Sequence, residues 1–238
     1  MRVARGFDVL GRVAEMPPSG CTSAARRRLW AQAVDLVREE NLIDPAYCYT
    51  IVSLDSPASH GDQVLKVGGG ALAAPRLIPE TGQLTALAFN VVTIGRQVEA
   101  RISSLFAERR AALAVMLDEL SNLLLFDVAR RAGDRIQADV RRRNLSMAGE
   151  LHAGDPGLDL AAQAMVLKLA QARCVNVDLS SGQLLRPMKS GSVVYGVGID
   201  LPPATWSRCE ECPSRRKCQF KDDGENAPVG LDTHGAMG

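Results

Sequence analysis

A chain of 238 residues, 46% of them hydrophobic, can build one sizeable core or at most two. Charged residues make up 23% and the formal net charge is +1, which argues against a general nucleic-acid binder with its basic excess. An aromatic content of 4% argues against base-stacking platforms.

Residues 1–22 hold Pro17, Pro18 and Gly20 and read as an irregular lead-in. Thr22 or Ser23 is a candidate N-cap for a helix to about Glu40, with Leu29, Ala33, Leu36 and Val37 on one face. Asp44-Pro45 ends that helical unit, and Tyr47 to Leu54, rich in Tyr, Ile and Val, reads as a strand. Short strands joined by turns fill the segment to about Glu80, around Gly68, Gly69 and Gly70. That glycine run lacks the Lys-Ser/Thr of a phosphate-binding loop, so it reads as a turn. Thr85 to Thr93 is an apolar, buried strand.

From Gly95 the period becomes helical. Helices are expected at 96–110, 111–132 and 134–143, with a wide apolar face of Leu113, Met116, Leu117, Leu120, Leu124 and Val128. A glycine-bearing loop at 148–157 precedes a helix at about 159–172. Short strands follow at 174–179 and 191–199. Strands and helices mix without regular alternation, so the expected class is α+β rather than a doubly wound sheet.

The apolar run 113–129 is broken by Asp118, Glu119, Asn122 and Asp127 and is too short to cross a bilayer. Asp8, Arg12 and Glu15 interrupt the residues after Arg2 and Arg5, so no signal-peptide core is expected. The expectation is a cytoplasmic protein with neither membrane nor nucleic-acid partners. The arginines at 130, 131, 135 and 141–143 read most simply as the wet face of two helices, and alternatively as a docking surface for an acidic protein. His152 reads as a surface loop residue, and no Ser/His/Asp or Cys/His set suggests a hydrolase.

The chain has 6 cysteines, and three of them lie close together as Cys209-Glu-Glu-Cys212-Pro-Ser-Arg-Arg-Lys-Cys218. In a cytosolic chain this spacing points to metal rather than to a disulfide framework. Two thiolates in a C-x-x-C pair share one ion and a third can join them, while Arg208, Arg215, Arg216 and Lys217 favour thiolate. An iron–sulfur cluster and zinc both fit. Zinc needs a fourth ligand, for which Cys48, Cys174 or a histidine is available. The alternative is three reduced thiols in a flexible tail.

Three segments together carry a resemblance: Val91-Val92-Thr93-Ile94-Gly95, the loop and helix start from Gly154 through Asp155 to Gln163, and Pro187-Met188-Lys189-Ser190-Gly191-Ser192. In order and spacing they resemble the activation domain of cobalamin-dependent methionine synthase and its stand-alone relatives in corrinoid systems. The likeness is good over 85–200 and loose before that. It implies a mixed or antiparallel twisted sheet with flanking helices over 23–205 and a metal-binding segment at 206–220, while the polar, glycine-bearing residues 221–238 read as a disordered tail.

The resemblance also implies a function: reductive reactivation of a protein-bound cobalamin by methylation from S-adenosylmethionine, in the service of methionine synthesis. The implied partners are a corrinoid-carrying protein and an electron donor. The implied ligand-binding residues are Gly154, Asp155, Gln163, Pro187, Lys189, Ser190 and Ser192, and the implied metal ligands Cys209, Cys212 and Cys218. No catalytic side chain is assigned. Glu150 stands where relatives carry an Arg suited to a ligand carboxylate, and Asp155 where they carry a Tyr. The alternative is a non-catalytic docking or electron-transfer module with an iron–sulfur or zinc site.

Overall fold

The computed structural model describes residues 1–15, 17 and 23–202. In chain order the elements are β1 (Arg2–Arg5), α1 (Leu10–Ala14), α2 (Ala24–Glu39), β2 (Ala46–Ala58), β3 (Leu65–Val67), β4 (Gly70–Leu72), β5 (Gln83–Thr93), α3 (Gln97–Ala107), α4 (Ala111–Arg141), β6 (Ser146–Leu151), α5 (Gln163–Ala170), β7 (Asp178–Leu179), β8 (Leu185–Arg186) and β9 (Ser190–Ile199). The main sheet has the order β4-β3-β2-β5-β9-β6, with β1 on β2, and β7-β8 form a separate hairpin. The pairs β2–β3, β3–β4, β6–β9 and β7–β8 are antiparallel. This is the expected α+β class with a largely antiparallel sheet.

The chain groups into two units. The first comprises Met1–Cys48, Val91–Ala129 and Gln171–Gly191. Its core is helical: Trp30, Ala33, Val34 and Val37 of α2, Val98, Ile102 and Leu105 of α3, and Leu113, Leu117, Leu120, Leu124 and Val128 of α4 are buried. The three-to-four-residue spacing puts each set on one stripe, and each large side chain withdrawn from water contributes roughly 2 kcal/mol. Ser23 caps α2, its Oγ accepting from the Arg26 backbone N–H at 3.2 Å. The expected lead-in is not irregular throughout: β1 and α1 occupy part of it, and the Trp30 indole donates to the Ala14 carbonyl at 3.1 Å.

The second unit comprises Tyr49–Asn90, Arg130–Ala170 and Ser192–Gly238. Leu65, Val67, Leu72, Leu84, Leu87, Phe89, Ile136, Val140, Leu151, Val166, Val194 and Val197 form its core. Within it Tyr49 is buried and donates to Asp139 Oδ2 at 2.5 Å. Burial, and then the Asp139 carboxylate, push the Tyr49 phenol up from 10.0 to about 12. The folded chain therefore holds this proton more tightly than the unfolded chain. The associated stability is complete below about pH 10 and is lost as pH rises through 12. Denaturation midpoints are expected to fall over that window and to fall less in Tyr49→Phe; parallel pH profiles would contradict this.

Two helical expectations need correction. Instead of separate helices at 111–132 and 134–143, α4 runs without a break through Gly133. Instead of one helix at 159–172, a 3-10 turn at Leu160–Ala162 leads into α5, and a second 3-10 turn spans Ala172–Val175. The strand expected at 174–179 shrinks to β7, which leaves Cys174 in that second turn rather than in a strand.

Candidate functional site

The first segment, Thr93-Ile94-Gly95, is the turn from β5 into α3, and all of it lies in the first unit. Gly95 has φ +84°, and a Cβ there would come within 3.2 Å of the Asp44 Cβ, so both backbone angle and space call for glycine. The Gly95 N–H donates to Thr93 Oγ1 at 3.1 Å, and Ile94 O accepts from the Asp44 N–H at 2.8 Å.

Residues 187–190 of the third segment lie in the same unit and fasten onto that turn. Lys189 O accepts from the Ile94 N–H at 3.1 Å, and Ser190 Oγ meets Thr93 Oγ1 at 2.9 Å. The Met188 N–H donates to Glu99 Oε2 on α3 at 2.8 Å. Pro187 opens the turn after a cis peptide bond with Arg186.

The Lys189 side chain is only 12% exposed. Its ammonium pairs with Asp118 Oδ1 at 2.6 Å and donates to Asn122 Oδ1 at 2.7 Å, two α4 residues one turn apart. In the sequence Asp118 and Asn122 stand out only as breaks in an apolar run. The available signal was their i, i+4 spacing. Thr93, Lys189 and Ser190 are thus mutually engaged, and their polar groups hold the turn to β5, α3 and α4.

The second segment lies in the second unit, after β6. Gly154 has φ +96°, and a Cβ there would meet nothing nearer than Leu160 Cδ1 at 3.7 Å. The loop closes on itself: Gly154 N–H donates to Leu158 O at 2.8 Å, and Leu158 N–H to Asp155 O at 3.0 Å. Asp155 Oδ2 accepts from the His152 backbone N–H at 3.1 Å, so this aspartate shapes the loop. His152 is a partly exposed loop residue whose Nε2 lies 2.8 Å from Glu150 Oε1. Asp159 Oδ1 accepts from the Ala161 N–H at 2.7 Å, which sets up the 3-10 turn that delivers Gln163 to the start of α5. Gln163 is buried and its Oε1 accepts from Ser192 Oγ at 3.3 Å, with Ser192 also buried. The second and third segments therefore meet at this pair. Tyr195, further along β9, is buried, and its phenol is pushed well above 10.0 by burial and then by the charges of Glu150 and Asp134.

Cys209, Cys212 and Cys218 lie outside the described residues, as does Cys21. Among the described residues, no group of three His, Cys, Asp or Glu is placed to hold a metal ion. Cys48 and Cys174 are free thiols. Several of the arginines read as a wet helix face are paired within α4 or at its end: Arg130 with Asp134 at 2.9 Å, and Arg135 and Arg142 with Asp139. A shallow apolar groove in the first unit, lined by Leu29, Val115 and Met116 between Arg26 and Glu119, contains none of the motif residues. No described helix is long and apolar enough to cross a membrane.

The sheet and its flanking helices make an α+β fold. Among solved structures it is similar to the crystal structure of the MetH reactivation domain bound to AdoHcy, with a TM-score of 0.61 at 13% identity, over 91% of this chain and 86% of that chain. No family model matches the sequence. No curated protein matches it. The likeness is one of fold.

Proposed function

We propose that this chain binds S-adenosylmethionine and helps to restore methylcobalamin on a corrinoid-carrying partner protein. One observation carries the reading: the Thr-Ile-Gly turn, the Gly154–Gln163 loop and the Pro187–Ser192 turn sit on a fold like that of a solved reactivation domain bound to AdoHcy. AdoHcy is what remains when the sulfonium of S-adenosylmethionine gives up its methyl group. Cobalamin on the partner, once reduced by one electron from a donor protein, would take the methyl group and leave the neutral thioether. Cobalamin supplies that reactivity, and this chain's residues supply position.

Gly154, Asp155, Gln163 and Ser192, all in the second unit, are the proposed ligand-holding residues. Glycine is called for at position 154 by its φ of +96° rather than by lack of room. Glu150 and Asp155 give the loop negative charge, which favours the sulfonium and ammonium groups of the ligand and opposes its carboxylate. Glu150→Gln is therefore expected to tighten AdoHcy binding by about fivefold, roughly 1 kcal/mol at a half-exposed position. Weaker binding in calorimetric titration would show that Glu150 holds the ammonium group instead.

The test of the reaction is anaerobic. Full-length protein, S-adenosylmethionine, a one-electron reductant and a carrier protein loaded with cob(II)alamin are expected to give methylcobalamin above a protein-free control. Failure across several carriers would refute it. The same two carboxylates favour a second reading, a docking or electron-transfer module in which the Cys209, Cys212 and Cys218 segment binds iron–sulfur or zinc. That reading expects carrier binding without methyl transfer. Either activity belongs in the cytoplasm, where corrinoid carriers and low-potential donors meet.

A further inference from the structure

Two thiols far apart in the chain meet in the first unit. Cys48 lies on β2 with no exposed surface, and Cys174 sits partly exposed in the 3-10 turn Ala172–Val175. β1 brings them together: it pairs with β2, it contacts that turn, and Arg5 on it donates to the Cys174 carbonyl. The Cys174 side chain lies close enough to Cys48 to raise its thiol pKa. The turn is bounded on both sides by left-handed residues, Gln171 at φ 59° and Asn176 at φ 58°, a costly conformation that its surroundings must hold in place.

We propose that Cys48 and Cys174 are a redox pair that closes reversibly to a disulfide when a hydroperoxide is present. The partly exposed Cys174 sulfur attacks hydrogen peroxide, whose O–O bond breaks, giving a sulfenic acid and one water. The Cys48 sulfur then attacks that sulfenic sulfur. The S–S bond forms, the S–O bond breaks, and a second water leaves. Two thiols lose two electrons in all, and the peroxide gains them.

A disulfide suits this location better than a metal does. Burial, and then the neighbouring Cys174, push the Cys48 thiol up, so a thiolate ligand is disfavoured there, whereas a disulfide carries no charge. The crosslink would tie the Ala172–Val175 turn to β2.

Full-length protein is treated with one equivalent of hydrogen peroxide, alkylated under denaturing conditions, and mapped without reduction. The expected result is a Cys48–Cys174 linked peptide, loss of both thiols from alkylation, and recovery of both with dithiothreitol. The same result is expected in a variant carrying Cys209→Ser, Cys212→Ser and Cys218→Ser, which removes competing thiols. Cys48→Ala should instead accumulate a dimedone-reactive sulfenic acid on Cys174. If that variant does not fold, Cys174→Ser serves, and its Cys48 should stay alkylatable. Wild-type protein in which Cys174 oxidises to the sulfinic acid while Cys48 stays alkylatable would overturn the proposal. So would protein in which neither thiol changes.

Discussion

Alanine at Gly198 is expected to cost about 3 kcal/mol or more and to leave little folded protein at moderate urea. The reason is distance. A Cβ on Gly198 would lie 2.0 Å from the Gln83 carbonyl oxygen and 2.9 Å from its carbon, both backbone atoms that cannot turn aside. Gly198 also pairs with Ser146 on β6, so β9 is flanked on both edges and cannot retreat. Gly196 faces the same constraint, since a Cβ there would be 2.9 Å from Ala148 O. Glycine in a strand ordinarily weakens it, and here it is what lets the neighbouring backbones close in. An unfolding free energy for Gly198→Ala, from urea titration, within about 1 kcal/mol of wild type would mean that β5 and β9 are further apart than this.

Lys189→Glu is expected to be nearly as damaging, at roughly 3 kcal/mol. The substitution exchanges a largely buried ammonium, 2.6 Å from Asp118, for a second carboxylate. It also removes the donor to Asn122 and loosens the turn whose backbone holds Ile94. Lys189→Met should cost less, because it removes the charge without adding repulsion and leaves Asp118, itself 47% exposed, to water. Paired denaturant titrations of the two variants separate repulsion from simple loss of the pair. Equal costs would mean that repulsion between the new carboxylate and Asp118 contributes little.

Much of the fold can be read from the sequence, because the hydrophobic period shifts from strand-like to helical after Gly95. The misread parts have physical causes. Gly133 suggests a helix end, yet a Cβ there would meet only Tyr195 Oη at 3.6 Å, and buried Ala132, Ile136 and Val140 carry α4 past it. A helical glycine costs about 1 kcal/mol, less than those burials return. β1 is mostly exposed and shows no apolar alternation, so only its pairing with β2 makes it a strand. Cys174-Val-Asn-Val looks like strand, but the left-handed Gln171 and Asn176 make a turn of it.

The motifs were legible as residue types, while their division of labour was not. Spacing picks out Gln163 and Ser192 separately, but not the hydrogen bond between them. Nor does it reveal that Lys189 spends its charge on Asp118. Those partners depend on which faces meet in three dimensions, and no local pattern encodes that.

The most direct measurement is calorimetric titration of AdoHcy into the full-length, anaerobically purified protein, with folding checked in the same sample. The account predicts saturable binding at one site, and a higher melting temperature with ligand, because a ligand that binds only the folded state raises its stability. Folded protein that takes up no AdoHcy at millimolar concentration would contradict it and leave the docking or electron-transfer module as the function of this fold.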